Sequence, residues 1–258
     1  MALFESSNPT LSQKIFDKSH AIEAEMNGTM SVRGTMNKFG FLMLMVVGGA
    51  AYSWHLFDPM TISSFYTVMM VGVFGGFIVA IAMSFKPDWA RFLAPVYGLL
   101  EGLALGGISA VVNQQFGKSY PGIVTQAVGL TFGVAFAMFL LYNFRVIKAT
   151  ERLKSIVSTA ILGIVIFYFI YWILSFFGVS MSVMSWNDGS PLGIGISLFI
   201  IAIAALRLVI DFDMIEQGAA QGAPKYMEWY CAFGLLVTIV WLYIEILKLL
   251  SRLASRRN

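Results

Sequence analysis

The stretch RLVIDFDMIEQ, residues 207–217, sets three carboxylates and an arginine at the end of the apolar run IGISLFIIAIAAL. An ionised side chain in hydrocarbon costs roughly 2.5–3.5 kcal/mol on insertion scales, so such groups face a cavity or a partner. The chemistry they suggest is the handling of protons or cations; the plain alternative is a helix leaving the membrane. Asp211 lies one turn beyond Arg207, on the same helical face, and Arg207 is its expected local counterion. Asp213 is about 200° further round at 3.6 residues per turn. Both aspartates therefore cannot point into one core while the backbone stays helical. Asp211 directly follows the apolar run and is read as the inward acid. Asp213 and Glu216 are read as marking the cytoplasmic exit of the helix.

Two more acids lie in apolar surroundings. Glu245, in VWLYIEILKLLSRL, has Lys248 one turn later. That spacing suits a local ion pair, or two side chains reaching for the membrane edge. Glu101 falls mid-span beside Gly98, Gly102 and Gly106. Glycines at intervals of four allow a neighbouring helix backbone to approach closely. Glu245 is the acid available to pair with Asp211 across helices.

These residues need membrane helices to position them. The 258-residue chain is 58% hydrophobic and only 12% charged, with a mean hydropathy of +0.77. Soluble domains carry about 25% charge. Seven apolar segments are visible, at about 39–56, 62–85, 92–112, 123–144, 156–179, 192–210 and 230–250. They are too long and unbroken for barrel strands. The expected fold is an all-α integral membrane protein of seven transmembrane helices. Residues 1–38 form a polar cytoplasmic tail without an apolar signal region, 39–251 the membrane domain, and 252–258 a basic C-terminal tail.

Eleven lysines and arginines fall in the tail and loops on one side, against Lys118 alone on the other. The positive-inside rule then places the N-terminus in the cytoplasm; the expected location is the inner cell membrane. The basic C-terminus conflicts with that rule if all seven segments cross. NFRVI and DFDMI close the fourth and sixth spans, a faint echo that would make Asn143 the uncharged counterpart of Asp211.

Other chemistries are disfavoured. One cysteine, Cys231, cannot form an internal disulfide, and His20 and His55 lack metal-ligand spacing. Signatures of zinc proteases, nucleophile elbows and phosphate-binding loops are absent, so no enzyme and no cofactor is expected. The basic residues report membrane orientation rather than nucleic acid.

GTMNKFGFLMLMVVGGAAYSW, APVYGLLEGLALGGISAVV and the region from LVIDFDMIEQ to the C-terminus resemble the Bax inhibitor family, in a bacterial branch with a long N-terminal tail. The resemblance implies a seven-helix fold with the last helix central, and a calcium leak controlled by pH through a pair of acids. It matches one acid to Asp211. The other stands in an LDFIN context in the family, where this chain has IEILK. Glu245 therefore replaces an aspartate with a longer side chain.

Two carboxylates facing each other in a low-dielectric site share a proton and titrate as a unit. Losing that proton adds repulsion and frees oxygen ligands of the kind calcium takes. Asp211 and Glu245 are thus the expected calcium contacts, and Asp213 is a third candidate for the gating carboxylates. Arg207, Glu101, Lys248 and Asn143 are the supporting polar groups. The partners implied are the bilayer, calcium ions and protons. Two rivals stand beside this reading. One is a non-conducting regulator of a membrane protease or stress response, with the tail contacting a membrane protein. The other is a proton-coupled transporter.

Overall fold

A computed structural model describes residues 28–57, 62–178 and 181–256. Among them are seven long helices: α1 (Val32–His55), α2 (Ile62–Phe85), α3 (Ala90–Phe116), α4 (Ile123–Asn143), α5 (Glu151–Phe176), α6 (Pro191–Ala220) and α7 (Met227–Ser255). No strand occurs among the described residues; one isolated antiparallel bridge joins Thr29 and Pro224. Six helices, α2 to α7, are long and apolar enough to cross a membrane. The first helix falls outside that group, and its opening turns carry Arg33, Asn37 and Lys38.

Several helices outrun their apolar segments, and local chemistry explains each case. The first starts at Val32, inside the stretch expected to be tail, because Ser31 caps it: the Ser31 hydroxyl accepts from Gly34 N at 3.0 Å. Such a cap satisfies one of the free N–H groups at a helix start. The rest of the expected tail, residues 1–27, lies outside the described residues. Helix α5 starts at Glu151 because Thr150 Oγ1 accepts from Leu153 N at 3.2 Å, and Glu151 suits the positive end of the helix dipole. Helix α6 passes through RLVIDFDMIEQ and stops only before Gly222, whose φ is +70°. The acids expected at its exit are therefore still helical.

Helix α7 runs on to Ser255, and Arg252 is 1% exposed within it. Its guanidinium finds acceptors in the loop before α6, so the helix continues past the end of the apolar run.

The chain divides into two compact units. One holds residues 28–111 and 211–237; the other holds 112–210 and 238–256. In the first, glycines bring backbones together. A Cβ on Gly102 would sit 2.9 Å from the Val46 carbonyl carbon and 3.0 Å from Gly49 Cα. On Gly72 it would sit 2.6 Å from both Leu100 O and Ala104 N. Helix α3 thus meets α1 and α2 with little side chain between, the close approach that small residues permit. Leu42, Phe65, Met83, Tyr230 and Phe233 are fully buried in this unit. Tyr97 packs edge-on to Phe233, with centroids 4.8 Å apart.

In the second unit, Ile123, Ala127, Val157, Leu208, Leu242 and Leu247 form the buried core. Helix α5 presents Leu162, Phe169, Trp172 and Phe176 outward. Only 6% of its most apolar window is buried, against 78% for α7. Such an apolar exterior is the face of a protein that lies in lipid.

Candidate functional site: buried charges on the last two helices

Helix α6 separates its two aspartates as helical geometry requires. Asp211 is fully buried, whereas Asp213 is half-buried and accepts from Gln217 Nε2 at 2.6 Å. Glu216 is also half-buried. Within its unit Asp211 lies near enough to the buried Cys231 thiol to act on it electrostatically. Arg207, four residues earlier on the same helix, is 3% exposed and belongs to the other unit. Asp211 and Glu245 also fall in different units.

Glu245 is buried on α7. The Tyr168 hydroxyl of α5 donates to its Oε1 at 3.0 Å, while Oε2 is buried with no hydrogen-bond partner. Lys248 is also buried, but no ion pair joins it to Glu245 among the described residues. Its Nζ instead stands 5.5 Å from the centroid of the Tyr168 ring. Tyr168 thus serves both charges, one through its hydroxyl and one through its π face. Reading the sequence does not find Tyr168, because it is one of several aromatics in FYFIYW and nothing there singles it out. Tyr168→Phe should lower stability by roughly 1 kcal/mol, the net worth of a hydrogen bond to a buried carboxylate, tempered by membrane surroundings. A melting curve in detergent measures it; an unchanged midpoint would show that the bond contributes nothing.

Glu101 is half-buried in α3 and shares a hydrogen bond with Tyr97. Asn143 is exposed at the last position of α4. It does not share the buried setting of Asp211, which lies nine residues inside the end of α6. The echo between NFRVI and DFDMI therefore does not extend to their surroundings.

A further acid comes into view only in three dimensions. Glu228, in the first turn of α7, is fully buried. Its Oε1 accepts from Ser31 N at 2.9 Å, Ser31 Oγ at 3.1 Å and Lys225 Nζ at 2.7 Å, and Lys38 Nζ donates to Oε2. Lys38 also lies 5.4 Å from the Trp229 ring centroid. Beside this cluster, Met30 N donates to Ala223 O at 2.7 Å. Gly34 leaves room for the carboxylate, which any Cβ there would strike. The signal in sequence is slight: an acid at a helix start with a lysine three residues before it. Ser31 and Lys38 are remote in the chain.

No group of three or more histidine, cysteine or carboxylate side chains among the described residues is placed to hold a metal.

The helices and their buried charges define a multi-pass membrane protein with ionisable groups inside its spans. A family profile described as Bax inhibitor 1 like matches residues 8–255. The chain belongs to that family. Comparison with curated proteins and with solved structures finds no match.

Proposed function

We propose that this protein is a pH-regulated calcium leak of the inner cell membrane. In this reading it crosses seven times, with its N-terminus in the cytoplasm and its last helix central. The burial of α7, 78% over its most apolar window, supports the central place of that helix. The asymmetry of basic residues between the two sets of loops supports the orientation.

The observation that carries the function is the burial of two acids, Asp211 and Glu245, on helices long and apolar enough to span a bilayer. Intramembrane carboxylates are expensive and mark ion or proton paths. Protonated, they are neutral and leave no anionic ligand for a cation. Ionised, they supply oxygens that replace part of a calcium ion's hydration shell. Opening therefore follows rising pH on the side from which the acids titrate.

Calcium influx into proteoliposomes carrying an internal dye tests this. Influx through the wild type should increase as pH rises. Asp211→Asn and Glu245→Gln should each flatten that dependence and lower the influx at the upper end. Variants that keep the wild-type profile would sink the proposal. A wild type that conducts at no pH would favour the non-conducting regulatory role instead.

A further inference from the structure

Arg252 is a buried charge that the leak reading does not use. Its Nε donates to Ser185 O at 3.2 Å and its Nη1 to Ser197 Oγ at 2.8 Å. Nη1 also donates to Gly193 O, and Nη2 to Val183 O. Every acceptor is a neutral oxygen: three backbone carbonyls and one hydroxyl. No carboxylate pairs with this guanidinium among the described residues, although an arginine buried in a protein ordinarily takes one.

The oxygens come from two segments, the turn at Ser182–Met184 with the loop after it, and the first turns of α6. Bonds that do not involve Arg252 hold them in place. Gln115 Nε2 donates to Asn187 Oδ1 at 3.2 Å. Ser190 N and Oγ donate to the Asp188 carboxylate at 3.1 and 2.9 Å, and Gly193 N donates to Ser190 Oγ at 3.0 Å. The oxygen cluster is therefore built by its own loop and does not depend on the guanidinium for all its order.

Arg252 also stands in line with Glu245. Seven residues is close to two helical turns, so the two share a face of α7, with Lys248 between them. Beyond Glu245, that face carries two buried positive charges and no second acid. A cation held at Glu245 meets repulsion there. Carbonyl oxygens converging on a cation are what channels use to replace a hydration shell, and a fixed arginine is a known electrostatic barrier.

We propose that Arg252 is a tethered cation that occupies an oxygen-lined cation site at the carboxyl end of α7 and so narrows the leak path beyond Glu245. The path belongs to the leak reading above. The plug restricts the path equally at every pH, because a guanidinium keeps its charge throughout the physiological range, and so limits the leak that the acids switch.

The test uses the full chain with Arg252→Met, Arg252→Lys and Ser197→Ala. In proteoliposomes, R252M should raise calcium influx several-fold at the higher pH where the acids are ionised, and R252K should keep the wild-type influx. In detergent, added calcium should raise the melting temperature of R252M and leave that of the wild type unchanged. A folded, monodisperse R252M with wild-type influx and calcium-independent melting overturns the proposal and leaves Arg252 as a staple for the loop. If R252M does not fold, S197A decides, since it removes one oxygen and keeps the charge. A rise in influx at that higher pH supports the plug, and unchanged influx overturns it. A wild type silent at every pH defeats the leak reading alone; the oxygen site then stands or falls on calcium-dependent melting of the variants.

Discussion

Gly102→Val yields no folded protein. Its Cβ would sit 2.9 Å from the Val46 carbonyl carbon and 3.0 Å from Gly49 Cα. These are backbone atoms of a packed helix, which cannot turn aside as a side chain can. Neighbouring glycines are under the same restriction. A Cβ on Gly106 would meet Ala50 Cα at 2.6 Å, and one on Gly98 would meet Leu42 O at 3.2 Å. To admit a branched side chain, α1 and α3 must separate, and every close contact along the stripe is lost together. Overpacking at one site costs about 1–3 kcal/mol; losing a whole helix interface costs more than a marginally stable protein has to lose. Gly48, one position from the contact, has nothing within 4 Å of its ideal Cβ. Gly48→Ala should match or exceed wild-type stability by about 0.5–1 kcal/mol, because alanine has less freedom to lose than glycine in a helix. Size-exclusion profiles of fluorescent fusions, followed by melting curves, separate the two. A monodisperse G102V with a wild-type midpoint would refute the account of this interface.

Glu228→Gln is the second large loss. The substitution keeps the shape and removes the charge that four donors on Ser31, Lys38 and Lys225 address. Breaking a buried ion pair by deleting one partner costs about 3–5 kcal/mol when the other partner is sealed from water. Here the lysines are 19% and 47% exposed along their side chains, so water recovers part of that cost. About 2 kcal/mol is the expected fall, measured as the drop in melting midpoint. A double-mutant cycle with Lys38→Met sharpens the test. If the ion pair carries the effect, the double variant loses less than the sum of the single losses. Strict additivity would mean that Lys38 and Glu228 touch without stabilising each other.

Much of this fold is legible from hydropathy, since six apolar segments became helices long enough to span. Helix ends are less legible, because caps and loop acceptors set them. Ser31 and Thr150 extend α1 and α5 forward, and the oxygens around Arg252 carry α7 onward. The 200° separation of Asp211 and Asp213 follows from two residues of spacing alone, and their unequal burial agrees with it. The surroundings of Glu245 are a different matter. Lys248 sits at the right spacing for an ion pair, yet Tyr168, 77 residues away in sequence, holds the carboxylate. Spacing within one helix restricts which groups share a face. It says nothing about what the neighbouring helix brings to that face, and both Tyr168 and Glu228 depend on such long-range partners.

The junction of Ser31 with Glu228 bears on how the protein is made. The two residues are separated by 197 positions, so one leaves the ribosome well before the other. Helix α1 is made early, but its cap region receives its acid only when α7 arrives. Met30 likewise waits for Ala223, and Thr29 for Pro224. Chains fold from the amino end as they are synthesised, and contacts this distant form last. Helix α1 is thus secured long after it is made, and a chain stalled before residue 223 leaves that junction open to proteases that recognise unfinished proteins.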